Sequence, residues 1–213
     1  MDKVVVATDD KRIFEHVLSF KGEVMYTSDS HESGTQRCGE VLVKLEDRGE
    51  DYDVIINIQG DEPFIHPDQI RHVVRVFEED GGAEIATLAK RIDKNEDLFS
   101  EHVMKVTLTD EEDGEIARDA LYFSRSPIPF YRGADKEEWL NKAQYYKHIG
   151  VYAFNVEEFH EILQLEISPL EQSEVLEQLR WITNHYTIQV VETDHETIGI
   201  DTPEDLEKLK NLP

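Results

Sequence analysis

The sequence predicts an α/β fold with a mostly parallel sheet and a smaller antiparallel lobe. Three observations carry this. Across residues 1–83, short apolar strands alternate with amphipathic helices at close spacing, the pattern of a parallel sheet with helices on both faces. Those strands are near-continuous runs of Val and Ile, as strands covered on both sides require. Past residue 84 the apolar segments lengthen and alternate, which predicts the antiparallel part.

Taken in order, Lys3 to Thr8 reads as a buried strand that stops at Asp9-Asp10. A helix follows with Ile13, Val17 and Leu18 on one face, and Glu23 to Thr27 forms a second short strand. Asp29 to Thr35 is a polar loop containing Gly34. The next helix spaces Cys38, Val41, Leu42 and Leu45 as one apolar stripe, which makes Cys38 a core thiol, and Gly49 lies past its end. Asp53 to Ile58 is a third strand, cut off by the polar turn "QGDEP". Pro67 then opens a helix carrying Ile70, Val73, Val74 and Phe77, with Gly81-Gly82 after it.

Longer strands are predicted at Ile85–Ile92, Val103–Thr109, Ala120–Phe123 and Tyr146–Phe154. Between the last two, Pro127, Pro129 and Gly133 interrupt the chain before a short helix around Trp139. Ser168-Pro169-Leu170-Glu171 is a capping box with Pro at the first helical position, predicting a helix to about Asn184. Thr187 to Glu192 returns as a strand, and Thr202-Pro203-Glu204 starts a terminal helix.

Composition excludes several functions. A formal charge of −25 from 47 acidic and 22 basic residues repels nucleic-acid backbones and anionic membranes. No apolar run approaches the roughly 20 residues of a membrane span, and no signal-peptide pattern is visible. One cysteine cannot build a disulfide framework. The expectation is a soluble protein of a reducing compartment, most simply the cytoplasm, acting without nucleic acid or membrane.

Four constellations could carry chemistry. Asp61 stands at the carboxyl end of a parallel strand, where open α/β sheets bind ligands, and Gly60 beside it permits a sharp turn or a close approach. Asp201 follows another strand end, and two such carboxylates could share Mg²⁺ or merely cap the helices that follow. Ser33-Gly34-Thr35 with Arg37 lies at a helix start whose free N–H groups suit an anion. Arg125 and His148 sit among aromatic strand residues, where they need either an internal partner or an anionic ligand. Glu174, Glu177 and Gln178 cluster on one side of their predicted helix, as hydrogen-bonding groups for a polyhydroxylated ligand or as a solvated face.

The motifs "HESGTQRC", "NIQGDEPFI", "ALYFSRSPIPF", "YYKHIGVYAF", "SPLE…LEQLRW" and "ETIGIDTPEDLEKL" together resemble the 3-deoxy-manno-octulosonate (Kdo) cytidylyltransferases. They stand in that family's order and span nearly all of the chain. The resemblance implies a Rossmann-like nucleotidyltransferase fold forming one cytidylyltransferase domain over 1–213. Within it, 1–83 would be the nucleotide-binding part, 84–160 the mixed sheet and small lobe, and 161–213 the sugar-site helix, last strand and C-terminal helix. It further implies transfer of CMP from CTP to Kdo for lipopolysaccharide synthesis, with Mg²⁺ and in a homodimer. Asp61 and Asp201 would be the catalytic metal ligands. Ser33, Gly34, Thr35, Arg37 and Gly60 would bind nucleotide, and Gln59, Arg125, His148, Tyr152, Glu177 and Gln178 the sugar. The family's N-terminal strand and its "PARYxSTRxPGKPL" loop, which supply Arg and Lys to the triphosphate, have no counterpart here. The alternatives are a related acid sugar, sialic acid or amino-Kdo, and a truncated, impaired form that binds without transfer.

Overall fold

A computed structural model describes residues 1–79, 82–111, 114–195 and 199–200. In chain order the elements are β1 (Val6–Thr8), α1 (Lys11–Ser19), β2 (Val24–Tyr26), α2 (Gly34–Glu46), β3 (Val54–Ile58), α3 (Pro67–Glu79), β4 (Ile85–Arg91) and α4 (Asn95–Phe99). They continue with β5 (Lys105–Leu108), β6 (Arg118–Ser124), α5 (Trp139–Lys142), β7 (Tyr146–Asn155), α6 (Val156–Ile162), α7 (Pro169–Glu174), α8 (Gln178–Thr183) and β8 (Ile188–Glu192). The predicted terminal helix lies outside the described residues.

The sheet is where the structure departs from the sequence reading. A six-stranded sheet runs in the order β3-β7-β4-β8-β6-β5, and β1 pairs with β2 in a separate parallel pair. The long strand β7 is inserted between β3 and β4 and runs antiparallel to both. Within the main sheet only β4 and β8 pair in parallel, while β6 pairs antiparallel with both β8 and β5. The fold is therefore α/β with a mixed sheet, not a mostly parallel one. The segments read as an antiparallel extension supply the middle of the sheet.

Alternation along the strands sorts their side chains onto two cores. On β4, Ile85 and Ala89 face a core shared with Leu42 of α2, Phe159 of α6 and Leu179 and Trp181 of the α8 region. Ala86 and Leu88 face the other way, against Val73 and Val76 of α3. Burying each large apolar side chain contributes roughly 1.5–3 kcal/mol, so both helix layers are firmly attached. Between Thr87 and Leu88 the β4–β7 register skips Gly150 and Val151 of β7. This bulge lies beside Gln59, whose side chain a Cβ on Gly150 would approach to 3.9 Å. Bulges of this kind re-aim side chains next to sites.

The first unit is less buried than its sequence suggests. In α1 only Val17 is buried, whereas Ile13 and Leu18 of the expected apolar face are about half exposed. The pair β1–β2 is too small to cover that face. Asp10 nevertheless caps α1, accepting from the N–H groups of Arg12 and Ile13.

The helix predicted from Ser168 to Asn184 is broken. Ser168 and Glu171 form the expected capping box, but Val175 adopts the left-handed conformation at φ 54°, ψ 51°, which ends α7. A β-branched residue there costs about 1–2 kcal/mol. The break has a purpose, because it separates Glu174 from Glu177 and sends them to different partners.

Candidate active site

Glu177 joins two parts of the molecule that are far apart in sequence. Its Oε1 accepts from the Ser33 hydroxyl at 2.8 Å, and its Oε2 accepts from the Thr35 hydroxyl at 2.7 Å. Ser33 is also the N-cap of α2, accepting from Gln36 N. The loop before α2 is thus held by a carboxylate from the α7–α8 turn. Gly34, between the two hydroxyls, faces Asn57 of β3, whose amide would stand 3.4 Å from an added Cβ. Asn57 is buried, and the sequence reading passed over it. The available signal was a single amide inside the run "VIINI".

Arg37 points elsewhere. It donates to Thr27 Oγ1 at 2.5 Å, Ser28 O at 3.3 Å and Asp9 Oδ2 at 3.0 Å. Its charge serves to tie α2 to the ends of β1 and β2. Cys38 packs on the main core, and burial, with Glu177 adding to it, pushes its thiol up to about 11. Such a thiol is almost wholly protonated near neutral pH and is a poor nucleophile.

The α7–α8 break positions a second group. Glu174 accepts from the Ser124 hydroxyl at 2.6 Å and from the main-chain N–H of Arg125 at 3.0 Å. The Arg125 guanidinium donates to the carbonyls of Glu174 at 2.8 Å, Glu101 at 3.1 Å and Val175 at 3.4 Å. These acceptors are main-chain groups, so its positive charge is oriented without being neutralised by an ion pair among the described residues. Beneath it, buried Lys105 donates to the carbonyls of Ser100, Val103 and Arg125. Burial pushes Lys105 down to about 8, against the pull of Glu174.

His148 and Tyr152 of β7 share the buried face with Thr87. Thr87 Oγ1 donates to the Val151 carbonyl at 2.7 Å and lies 2.9 Å from His148 Nε2. With its one proton committed, Thr87 must accept, so His148 carries its proton on Nε2. Burial lowers the His148 pKa to about 3. The residue is a neutral core imidazole packed edge-on to Phe123, and it cannot offer a positive charge. Tyr152 stacks on Phe154, tilts against His148 and meets Trp181 edge-on, and its buried hydroxyl has no hydrogen-bond partner among the described residues. Gln178 is buried as well, at the start of α8.

The depressed His148 pKa has a consequence for acid stability. Below the unfolded value near 6.5 the unfolded chain binds a proton that the folded chain refuses. His148 therefore contributes stability above about pH 6.5 that is lost as pH falls toward 3, at about 1.4 kcal/mol per unit. His148→Gln keeps a donor for Thr87 and removes the titration. Its deficit relative to the wild type in urea denaturation should shrink by about that amount per unit between pH 6 and 5. A pH-independent deficit would remove His148 as the cause.

At the end of β3, Gln59 and Gly60 are exposed. Gly60 has ordinary backbone angles and open space where a Cβ would go, so neither strain nor crowding demands glycine. Asp61 holds the main-chain N–H of Ile200 on its carbonyl at 2.9 Å. Its Oδ1 is buried with no hydrogen-bond partner among the described residues. Capping does not explain this, since His66 N at the approach to α3 donates to Gln69 Oε1 instead. A buried, unpaired carboxylate oxygen is costly, and a hard cation satisfies it. Asp201, its expected partner, lies outside the described residues.

Residues 1–198 match the family model described as cytidylyltransferase. A 3-deoxy-manno-octulosonate cytidylyltransferase of Parabacteroides distasonis is 50% identical over 98% of this chain and 80% of its own length. One of Bacteroides thetaiotaomicron is also 50% identical, over 99% of this chain and 83% of its own. A solved CMP:2-keto-3-deoxy-manno-octonic acid synthetase, complexed with CTP, superposes with a TM-score of 0.85 at 37% identity, covering 99% of this chain and 80% of that one. With family match, identity and superposition all extending over nearly its whole length, the chain belongs to the cytidylyltransferases, among the 3-deoxy-manno-octulosonate cytidylyltransferases.

Proposed function

We propose that this chain transfers CMP from CTP to 3-deoxy-D-manno-octulosonate, releasing pyrophosphate and supplying CMP-Kdo for lipopolysaccharide synthesis. The observation that carries the reading is the α7–α8 turn. One of its carboxylates, Glu177, holds the Ser33–Thr35 loop, and the other, Glu174, positions the un-neutralised Arg125. A nucleotide site and an acid-sugar site are thereby joined through a few residues.

In this reading the anomeric hydroxyl oxygen of the sugar attacks the α-phosphorus of CTP in line. Its bond to phosphorus forms as the bond to the bridging oxygen of pyrophosphate breaks. Arg125 fixes the sugar carboxylate with its planar fork. The hydroxyls of Ser33 and Thr35 keep acceptor lone pairs for the cytidine, because their protons are spent on Glu177. Gln59, beside the β7 bulge, faces the sugar. Magnesium, when bound, supplies charge neutralisation on the phosphates, and Asp61 and Asp201 would hold it. The catalytic gain comes from positioning two substrates, with no covalent intermediate on the protein. We place the enzyme in the cytoplasm as a homodimer, a second copy covering the exposed Leu121 of β6 and Phe130 in the connection from β6 to α5.

Arg125→Met tests the acid-sugar half. The KM for Kdo should rise about 10- to 100-fold, as for loss of a charged hydrogen-bond pair, with the KM for CTP changed less than about threefold. Pyrophosphate release from a panel of Kdo, amino-Kdo and sialic acid reads out the sugar. An unchanged Kdo KM in the variant, or faster turnover of sialic acid than of Kdo, would overturn the assignment.

A further inference from the structure

Away from these groups, His66 before α3, Asp68 in its first turn and His195 after β8 converge at the surface. The two imidazole rings stack with centroids 3.9 Å apart and planes 12° from parallel. Nδ1 of His66 lies 3.5 Å from Asp68 Oδ2, and Nε2 of His195 lies 3.8 Å from the same oxygen. One ligand atom from each residue falls within 4.8 Å of the other two.

The hydrogen bonding shows what this arrangement lacks. The main-chain N–H of Asp68 donates to His66 Nδ1 at 3.2 Å, so that nitrogen carries a lone pair and no proton. The other carboxylate oxygen, Oδ1, is taken by Arg71. A nitrogen lone pair and a carboxylate oxygen therefore face each other with no proton between them. A single cation sitting among the three would remove the conflict.

We propose that His66, Asp68 and His195 form a binding site for a late first-row divalent cation, with zinc as the best fit. Two imidazole nitrogens and one carboxylate oxygen are the ligand set that such ions prefer, whereas magnesium takes oxygen ligands. Bond lengths of about 2.0–2.2 Å require the three atoms to close in by about an ångström. Side-chain rotation of partly exposed residues provides that, the Asp68 N–H giving up its long bond to His66. The bound ion would clamp the start of α3 to the segment that leads from β8 to Ile200. Ile200, five positions beyond His195, donates its main-chain N–H to the Asp61 carbonyl. The site thus fastens the neighbourhood of Asp61 from outside, as a regulatory or stabilising clip.

The test uses chelator-treated full-length protein titrated with Zn²⁺ by calorimetry and with Co²⁺ by visible absorption, in magnesium-free buffer. Beyond any ion taken up at Asp61, one equivalent should bind, and Zn²⁺ should raise the unfolding temperature. His195→Ala and His66→Ala should each weaken binding by about 100-fold or more, beyond the range for loss of an outer-shell partner, and abolish the thermal shift. Asp61→Asn and the surface control His185→Ala should leave both unchanged. Absence of a stoichiometric site, or binding that survives in both ligand variants, overturns the proposal. Neither readout depends on catalysis, so the outcome is separable from the cytidylyltransferase reading.

Discussion

Asp61→Asn should reduce CTP- and Kdo-dependent pyrophosphate release by about 10³-fold or more while leaving the fold intact. The buried Oδ1 has no hydrogen-bond partner among the described residues, so this oxygen contributes no visible hydrogen bond to the fold. If Asp61 holds the metal as proposed, losing an interaction worth several kcal/mol to phosphoryl transfer corresponds to that rate loss. Replacing an oxygen that has no partner among the described residues costs the folded state little, and urea denaturation should place the variant within about 1 kcal/mol of the wild type. The two measurements together separate the roles. A variant that keeps its rate, or one that loses stability in proportion to rate, would show Asp61 to be structural.

The second large effect is expected at Glu177. Glu177→Ala deletes the charged acceptor of both Ser33 and Thr35, each bond being worth about 1.5–3 kcal/mol. The loop before α2 then loses its anchor, and kcat/KM for CTP should fall about 10²- to 10³-fold. Stability should fall by about 3 kcal/mol or more, because two hydroxyls are left without their charged acceptor. Glu177→Gln retains one carbonyl oxygen and should lie between the two on both scales. Steady-state kinetics with each substrate varied, beside denaturation of all three proteins, measures this. Kinetics within threefold of wild type in the alanine variant would break the link between the turn and the nucleotide loop.

Local signals in the sequence were read well where one element decides the outcome. The capping box at Ser168 and the stripe of α2 formed as expected, because each depends on residues within a few positions of one another. Sheet order was illegible for a physical reason. Alternation fixes which face a residue occupies but not which strand lies alongside, so nothing in Tyr146–Asn155 announced its insertion between β3 and β4. The α7–α8 break was hidden too. Helical spacing continues on both sides of Val175, and a β-branched residue is a poor cue for a left-handed turn. For the site, residue types at Ser33, Thr35, Arg125 and Glu177 pointed to polar chemistry, but their pairing came only from folding. Arg37 and His148 illustrate the limit. Their residue types left an anionic ligand and an internal role both open, and in the structure one is spent on Asp9 while the other is kept neutral by burial.

The insertion of β7 also governs when this molecule can come into being. Val54 pairs with Asn155, and Ile85 with Ile188, so two ladders of the main sheet join residues about a hundred positions apart. Closing loops of that size must precede the contacts that reward it, which slows folding relative to chains rich in local pairs. During synthesis, β3 and β4 emerge long before the strand that will lie between them. They must wait with open edges until β7 is released. The groups around Glu177 come later still, so sheet and site consolidate in one late event after most of the chain has been made.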